Sequence, residues 1–425
     1  MLKTIMKYIG KLGAGIVIGV LMLIAVYALP IGRMKENVAR SSEVFNYERM
    51  YPQIIFGYKY MQLDNYTDSL MLGEAIYEGT ENILDKAMSN YRIASDELPQ
   101  DMTVTNYAND APYDFYPVSY ERYWHGYLVP LKLLLLFFDY PDIRVLNFLL
   151  QNFLLYIVLR KFHKNNLGQY MPAFLMAVFV LNPLTAALSL QFSSVYYIIL
   201  FSVIYLLHLE EKKEASERKT DNLFFTVGIL TSYFDFLTYP LAAFGVLAVT
   251  YLNLNREKIG IANAKDILKK LILWIGGYGG MWCGKWLAGS LLTQKNMFAS
   301  AINQAILRAS SIDDEVRGGV EFSRLYAVFK NIGVFLKWPF FILFLIGIGY
   351  WLFQLRKITF RILQQEISVI IIYFAIALLP AGWIFVVANH SYIHYWFTSK
   401  EFCIAAFSLL SLGIYLKNLC YDRDV

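Results

Sequence analysis

Apolar stretches recur along almost the whole chain, and many approach the length of a bilayer span. A transmembrane helix needs roughly 20 predominantly apolar residues. Ten candidate spans can be delimited, at residues 9–29, 143–159, 170–181, 186–209, 223–233, 237–252, 267–292, 335–353, 368–388 and 402–416. Only 17% of the residues are charged, which is fewer than a soluble chain of this length needs. The sequence therefore predicts an all-α polytopic membrane protein with about ten transmembrane helices.

The two candidate spans on either side of Phe234 and Asp235 are shorter than the others. A helix of about 12 residues covers only about 18 Å at its rise of about 1.5 Å per residue. We therefore interpret these segments either as half-helices that meet inside the membrane or as one bent unit.

The first apolar stretch follows three lysines, as the core of a secretory signal peptide would. It is longer than a typical signal-peptide core, and no cleavage site of small residues follows it. We therefore expect residues 1–30 to be a retained signal-anchor helix.

Lysine and arginine in short connections predict the orientation, because they accumulate on the cytoplasmic side. With a cytoplasmic N-terminus, every short basic connection falls on that side, at 160–164, 210–221, 256–270, 356–361 and from 417 onward. A large outer loop at 31–142, with interfacial surface helices, then separates the anchor from a transmembrane helical domain at 143–425. That domain carries two smaller outer loops, at 294–334 and 389–400.

Several function classes are disfavoured by composition. The three cysteines, Cys283, Cys403 and Cys420, form neither a metal-binding spacing nor a disulfide framework. The net charge of +5 is small, and we expect no nucleic-acid partner. The heavy use of Ile, Phe, Tyr and Lys is typical of AT-rich bacterial genomes, so we expect a multi-pass protein of a bacterial cytoplasmic membrane.

Asp64 and Asp68 stand four residues apart at the start of a probable helix in the large outer loop. Two carboxylates at this spacing can share a proton, bind a cation or orient an acceptor hydroxyl. Alternatively, Thr67 or Asp68 caps the helix. The spacing alone leaves both interpretations open.

A second group, with Arg122, Tyr123, Trp124 and His125, lies where the outer loop returns to the membrane. Tyrosine and tryptophan are typical of membrane interfaces in general, whereas the arginine and the histidine need a further reason. The apolar run at 131–138 that follows is too short to span, which favours an interfacial or re-entrant helix.

The short loop at 389–400 carries His390, Tyr392, His394 and Lys400. Two histidines four residues apart are weak evidence for a metal. Together with the tyrosines and Lys400 they better suit polar recognition of a sugar or a phosphate.

Lys285 lies within an apolar span, towards its outer end, and Asp235 lies between the two short spans. A cation at such a position either extends to the membrane interface or faces a cavity or a partner.

The order of these features resembles the GT-C superfamily of integral membrane glycosyltransferases. In that pattern a first helix precedes a large outer loop with early acidic residues, an interfacial helix with a histidine, and the second span. Asp64 and Asp68 resemble the acidic motif, the stretch 123–144 resembles the histidine–proline helix and the entry to helix two, and the broken segment 228–248 resembles the short fifth and sixth helices. The resemblance is architectural and covers about the first 250 residues. Here the acidic residues are not adjacent, and Gly126 rather than proline follows His125.

The resemblance implies inverting transfer of a sugar from a polyprenyl-phosphate-linked donor to a glycan or lipid-linked acceptor, in cell-wall or other surface polysaccharide modification. Asp68 is then expected to be the catalytic base, with Asp64 as second choice. The expected substrate-binding residues are Arg122, Tyr123, His125, Lys285, His390, Tyr392, His394 and Lys400, of which Arg122, Lys285 and Lys400 would hold the donor phosphate. The next candidates for the phosphate are Arg308, Arg317 and Arg324 of the outer loop at 294–334. No cofactor is required, although Mg²⁺ or Mn²⁺ at Asp64 and Asp68 stays open.

Two alternatives remain. A polymerase or ligase of surface polysaccharide also acts on lipid-linked glycans, but usually has its large outer loop late in the chain. A transporter or flippase favours charges along a midplane path and internal repeats, whereas here polar residues gather in the predicted outer loops and no repeat is visible.

Overall fold

The computed structural model describes residues 2–256, 261–338, 340–356 and 358–423. Its helices are α1 (Leu2–Tyr27), α2 (Gly32–Arg40), α3 (Ser42–Glu48), α4 (Asn65–Ala75), α5 (Ile83–Ser89), α6 (Gln100–Ala108), α7 (Leu128–Leu135), α8 (Tyr140–Lys164), α9 (Met171–Leu181), α10 (Pro183–Leu188), α11 (Leu190–Glu211), α12 (Glu217–Phe234), α13 (Leu241–Leu254), α14 (Ile261–Thr293), α15 (Met297–Ala309), α16 (Arg324–Gly333), α17 (Phe340–Leu355), α18 (Phe360–Gln365), α19 (Ile367–Val386), α20 (Ala388–Ile393), α21 (Tyr395–Thr398) and α22 (Cys403–Arg423). Strand β1 (Arg92–Ala94) pairs antiparallel with β2 (Tyr116–Val118), and β3 (Ile312–Asp313) with β4 (Val320–Glu321).

Five described helical segments are long and apolar enough to cross a bilayer: Lys3–Tyr27, Tyr140–Lys164, Leu190–Glu211, Ile367–Val386 and Tyr395–Cys420. A sixth arises if Arg324–Leu336 and Phe341–Leu355, which meet at a bend of 95°, are one broken span. The structure thus supports the predicted helical membrane architecture, while the total of ten spans stays a prediction.

Several predicted spans are shorter in the structure than a span requires. α9 has 11 residues and α13 has 14, which correspond to about 17 and 21 Å, against about 30 Å of hydrocarbon core. Almost every residue of α13 is buried among other helices, so its apolar character also serves the protein interior. Four stretches lie outside the described residues. Residues 257–260 and 357 belong to predicted basic connections, residue 339 to a predicted span, and residues 424–425 to the basic tail.

The long helices differ in how much of their apolar surface the protein itself covers. In the most apolar stretch of α1, 17% is buried inside the protein, and in that of α8, 28% is buried. In that of α11 the buried share is 67%. On α8 the side chains of Leu149 and Phe153 are 60% and 58% exposed. Because water disfavours so large an apolar surface, α1 and α8 are suited to contact lipid, and α11 forms the centre of the helical body.

Residues 32–139 pack on one end of the helical body, which we call the loop face. They form α2 to α7 and the β1–β2 hairpin, and α4 lies at their centre with Asp68 to Ala75 all buried. The indole N–H of Trp124 donates to the carbonyl oxygen of Met281 in α14 over 2.7 Å. The loop region is therefore anchored to the helical body.

α12 and α14 approach each other closely because glycines stand at their contact. A Cβ at Gly228 would collide with the carbonyl oxygen of Trp274, and a Cβ at Gly277 with that of Phe225. The approach fixes the end of α12 against the loop face.

The α12–α13 loop, residues 235–240, follows directly. The carboxylate of Asp235 accepts hydrogen bonds from the backbone N–H groups of Leu237 and Thr238, over 3.0 and 3.1 Å. Leu237 has a φ of 80°, which few side-chain-bearing residues adopt. Asp235 thus closes a tight turn between two helices.

Candidate functional site

The α12–α13 loop is the place where distant segments of the chain meet. The N–H of Gly126 donates to the last turn of α12, at the carbonyl oxygen of Tyr233, over 2.9 Å. The imidazole of His390 is 2.6 Å from the carbonyl oxygen of Leu237 through its Nε2, and Glu401 accepts from the first N–H of α13 over 3.0 Å. The predicted motifs at 122–126 and 389–400 therefore converge here.

His125 is buried, and oxygens face both of its ring nitrogens. Nδ1 lies 2.9 Å from a carboxylate oxygen of Glu74 and 2.7 Å from the hydroxyl of Tyr127, and Nε2 lies 2.7 Å from the carbonyl oxygen of Tyr120. The Tyr127 hydroxyl also donates to Glu74, over 2.8 Å. These contacts hold both ring nitrogens and one oxygen of the buried Glu74 side chain. His125 thus ties the loop region together rather than presenting a free nitrogen.

Asp68 is fully buried and both of its oxygens accept hydrogen bonds. One oxygen accepts from the hydroxyl of Tyr140, over 2.5 Å, and from the N–H of Leu190, over 2.9 Å; the other accepts from the N–H of Gln191, over 3.1 Å. Asp68 therefore caps the N-terminus of α11. Burial raises the pKa of Asp68 to about 6, although the Tyr140 hydrogen bond and the charge of Arg144 oppose the rise.

Arg144 extends this arrangement from α8. Its guanidinium donates to Glu48 over 2.9 Å, to Asn65 over 2.7 Å and to the hydroxyl of Tyr140 over 2.8 Å. We call the whole set, which links the loop region to α8 and α11, the α4 network. Its members are Asn65, Asp68, Glu74, His125, Tyr127, Tyr140 and Arg144.

Asp64 lies at the edge of the α4 network. Its carboxylate caps α4 by accepting from the N–H of Thr67 over 3.0 Å, and its own N–H donates to Ser189 over 3.1 Å. Burial raises the pKa of Asp64 to about 7. The hydrogen bond from Thr67 opposes this rise, and the charge of Asp68 adds to it. Burial raises the pKa of Tyr51, and the charge of Asp64 adds to this rise. The Tyr51 ring lies 6.1 Å from the Trp396 ring. Tyr51 is therefore a common neighbour of Asp64 and of the loop at 389–400.

A divalent metal does not fit the aspartate pair as it stands, because the oxygens of Asp68 are bonded to donors. Within the described ranges, no group of three or more His, Cys, Asp or Glu side chains could hold a metal ion. We derive no step through a metal.

Arg122 and Tyr123 lie beside the α12–α13 loop. The Tyr123 ring is 5.2 Å from that of Trp282 in α14 and 5.9 Å from that of Phe236. Burial raises the pKa of Tyr123. The charges of Arg308 and Arg122 oppose this rise, and the charge of Asp235 adds to it. Two arginines therefore act on this tyrosine.

His390 and His394 form a pair, with ring centroids 4.8 Å apart. Burial lowers the pKa of His394 to about 3, with a further contribution from Arg308, and burial also lowers the pKa of His390. Both imidazoles are therefore neutral at physiological pH. Because His390 donates through Nε2, its Nδ1 is left as an acceptor.

Buried polar atoms without hydrogen-bond partners occur at many places among the described residues. Seven of them lie around these groups: Tyr278 Oη, Trp282 Nε1, Arg308 Nε, His390 Nδ1, His394 Nδ1, Trp396 Nε1 and Glu401 Oε2. We call these seven residues the polar cluster. Ring contacts of 6.0 Å between Tyr278 and Trp282 and of 5.4 Å between His394 and Trp396 form its two sides. Since buried polar groups are nearly always bonded, the cluster is suited to a polar ligand or to ordered water.

Lys285 and Lys400 are buried, and other protein groups occupy their amines. Lys285 donates to the carbonyl oxygen of Met88 and to Asn90, over 2.8 and 2.9 Å. Lys400 donates to the carbonyl oxygen of Leu181 and to Thr185, over 2.9 and 2.8 Å. The two lysines share no hydrogen-bond partner with each other or with Arg122, so the structure does not join the three predicted phosphate-binding cations in one site.

Tyr392, the remaining predicted contact, packs away from the α12–α13 loop. Its ring stacks on Phe322 with centroids 4.1 Å apart, and the amine of Lys330 lies 3.5 Å from its centroid.

An apolar groove of about 1010 Å³ runs along α7, α8, α11 and α12. Tyr127 and Phe234 line it near the loop face, and Lys219 and Asn222 line it near the opposite end. Phe234 directly precedes Asp235, so the groove ends beside the α12–α13 loop and within one residue of the polar turn.

Sequence reasoning missed several members of these two sets. Glu74 could have been noticed as a carboxylate flanked by apolar residues, and Trp282 and Tyr278 as aromatics one turn apart. Arg308, in contrast, was among the second-choice cations for the donor phosphate in the predicted outer loop at 294–334. Their common location depends on tertiary packing.

Comparisons with protein-family models, with curated proteins and with solved structures found no match.

Proposed function

We propose that the protein is a membrane glycosyltransferase that uses a polyprenyl-phosphate-linked sugar. The acceptor is a glycan at the loop face, which we assign to the outer side of a bacterial cytoplasmic membrane, and the product is a modified surface polysaccharide. The observation that carries the proposal is the apolar groove, which ends beside the α12–α13 loop, where the Leu237 carbonyl contacts His390 of the polar cluster. An isoprenoid chain requires apolar surroundings such as the groove, and a sugar phosphate requires polar groups such as those of the cluster.

The reaction would be a single displacement. An acceptor hydroxyl attacks C1 of the donor sugar, the bond from C1 to the phosphate oxygen breaks, and the lipid phosphate leaves with the electron pair. The proton of the hydroxyl passes to a carboxylate. Attack opposite the leaving group inverts the configuration at C1.

We assign the base to Asp64 rather than to Asp68, which reverses the order expected from the sequence. The oxygens of Asp68 hold Tyr140 and the start of α11, so a proton acceptor there would have to release structural contacts. A pKa of Asp64 of about 7 suits a general base near neutral pH. Tyr51 is a common neighbour of Asp64 and of Trp396.

We assign the leaving phosphate to Arg122 and Arg308. Each has a buried Nε without a partner among the described residues, and both act on Tyr123. Arginine offers several donors to phosphate oxygens in a fixed geometry. Lys285 and Lys400, whose amines are already bonded, are assigned to the architecture.

The test uses a polyprenyl phosphate that carries a photoreactive diazirine and an alkyne tag, added to vesicles that contain the full-length protein. Crosslinks are expected on the groove-facing sides of α8, α11 and α12. Ser194→Trp, which places an indole in the groove, should reduce them. Asn152→Trp, on an exposed face of α8 outside the groove, is the matched control. Equal labelling of both variants and the unmodified protein would contradict the proposed lipid site.

A further inference from the structure

A second, smaller cavity of about 220 Å³ lies on the loop face. It is formed between the 3-10 turn Lys59–Met61, the end of α16 with the residues after it, and α21. Three of its lining residues are lysines, Lys59, Lys330 and Lys337, and two more are Tyr58 and Tyr395. No carboxylate belongs to the lining.

Among the described residues the three lysines form no ion pair, whereas six other lysines do. The amine of Lys59 donates to the side-chain oxygen of Gln62 over 2.9 Å. The amine of Lys330 is held between two rings, 3.5 Å from the centroid of Tyr392 and 4.6 Å from that of Tyr395. Asp313 and Glu315 act on Lys330, but they stand outside the lining. The cavity thus combines three positive charges with no anion of its own.

We propose that this lysine pocket binds an anionic oxygen group, a phosphate or a carboxylate, of the acceptor glycan. The acceptor would then be an acidic polymer. That the bound molecule is the acceptor rests on the proposed function. That it is anionic rests on the charge of the pocket itself. Lys330 is partly buried, whereas Lys59 and Lys337 are exposed. Ammonium groups bind such anions through charge-assisted hydrogen bonds, which are stronger than neutral ones.

Two observations favour the acceptor over the lipid donor. The lysine pocket and the apolar groove have no lining residue in common, so a donor whose chain fills the groove would have its phosphate at the groove's own end. Tyr395 lines the pocket, and its ring is 6.0 Å from that of Trp396 in the polar cluster. A glycan that crosses these two rings would place an acidic group among the lysines and a neighbouring unit at the reaction site.

The experiment measures binding without turnover. The full-length protein is placed in nanodiscs of phosphatidylcholine, without donor. Fluorescent oligomers of glycerol phosphate, of galacturonic acid and of uncharged glucose, matched in length, are titrated by anisotropy. The pocket variant combines Lys59→Gln, Lys330→Gln and Lys337→Gln. The control variant combines Lys35→Gln, Lys86→Gln and Lys295→Gln, which removes the same charge elsewhere on the loop face.

At least one of the two anionic oligomers should bind, and the glucose oligomer should not. The pocket variant should bind the anionic oligomer about ten- to a hundredfold more weakly, the control variant should bind it almost normally, and added salt should weaken binding. Equal losses in both variants would overturn the proposal, as would failure of both anionic oligomers to bind. If the triple variant does not fold, Lys337→Gln alone, at an exposed position, should still weaken binding several-fold. Because this experiment measures no transfer, failure of the glycosyltransferase proposal would appear only in the separate transfer assay, where a protein that binds the oligomer would transfer no sugar.

Discussion

Two sets of buried polar side chains lie next to each other at the loop face, and they differ in how well their atoms are bonded. In the α4 network nearly every polar atom has a partner, with Glu74 Oε1 and Arg144 Nε as the exceptions. In the polar cluster each of the seven side chains has a buried atom without one. Tyr127 and Tyr278 illustrate the contrast, since the first hydroxyl bonds to Glu74 and to His125 and the second bonds to neither.

This difference separates architecture from function. A bonded polar network holds elements in place and loses stability when one partner is removed. Unbonded buried groups cost free energy in folding, and that cost is recovered when a ligand or water completes the bonds. We therefore assign the α4 network to the positioning of α4, α8 and α11, and the polar cluster to the substrate.

The largest effect on sugar transfer is expected from replacement of Asp64, which lies between the two sets. Asp64→Asn should lower sugar transfer by about 100- to 10,000-fold, because the amide cannot accept the proton. Asparagine caps helices as well as aspartate does, so the temperature of unfolding should change little. Transfer in proteoliposomes and unfolding of the same preparation provide the measurement. Near-normal transfer by this variant would return the role of base to Asp68 or remove it from both residues.

The dependence of transfer on pH follows from the same residue. The base must be ionised, and burial raises the pKa of Asp64 to about 7. The rate should therefore fall roughly tenfold for each pH unit below 7 and level off above it. Stability should run the other way: because the pKa of Asp64 lies above its ordinary value of 3.8, the folded protein retains a proton that the unfolded chain releases, and stability falls as pH rises from about 4 to about 7. A rate that is flat between pH 5 and 8 would contradict the assignment.

A smaller effect, on stability, is expected at Asp68. Asp68→Ala leaves the Tyr140 hydroxyl and the N–H groups of Leu190 and Gln191 without an acceptor, at a cost of about 1–3 kcal/mol for each group that stays buried and unbonded. Thermal unfolding measures this cost. A variant that unfolds like the unmodified protein would show that the α4 network does not support the fold as proposed.

Part of this arrangement could be predicted from the sequence. Apolar stretches of sufficient length predict α1, α8, α11 and α19, because the bilayer sets the length of a span. The side-chain hydrogen bonds of Asp68 could not be predicted, because they join residues 72 to 123 positions apart. For the same reason, Lys285 and Lys400 were expected at a phosphate, whereas the structure has them bonded to carbonyl oxygens and polar side chains.

The grouping of the remaining site residues could be predicted only in part from the sequence. Tyr123, His390 and His394 were recognised from residue type and from their predicted outer location, and the α12–α13 loop does bring them together. His125, three positions before Leu128 at the start of α7, belongs instead to the α4 network. Residue type alone does not distinguish a histidine with both nitrogens bonded from one with a free nitrogen, since the difference depends on side chains from other elements.

The most direct test of the central claim compares Tyr127→Phe with Tyr278→Phe, because each change removes one hydroxyl and keeps the ring. Thermal unfolding and sugar transfer are measured on the same proteoliposomes. Tyr127→Phe should lower stability by about 1–3 kcal/mol, since Glu74 loses a hydrogen bond. The folded fraction should keep its transfer rate, because phenylalanine preserves the ring that Tyr127 contributes to the apolar groove. Tyr278→Phe should leave stability unchanged or slightly higher and should lower transfer. The reverse pattern, with stability lost at Tyr278 and transfer lost at Tyr127, would contradict the assignment of the polar cluster to the substrate.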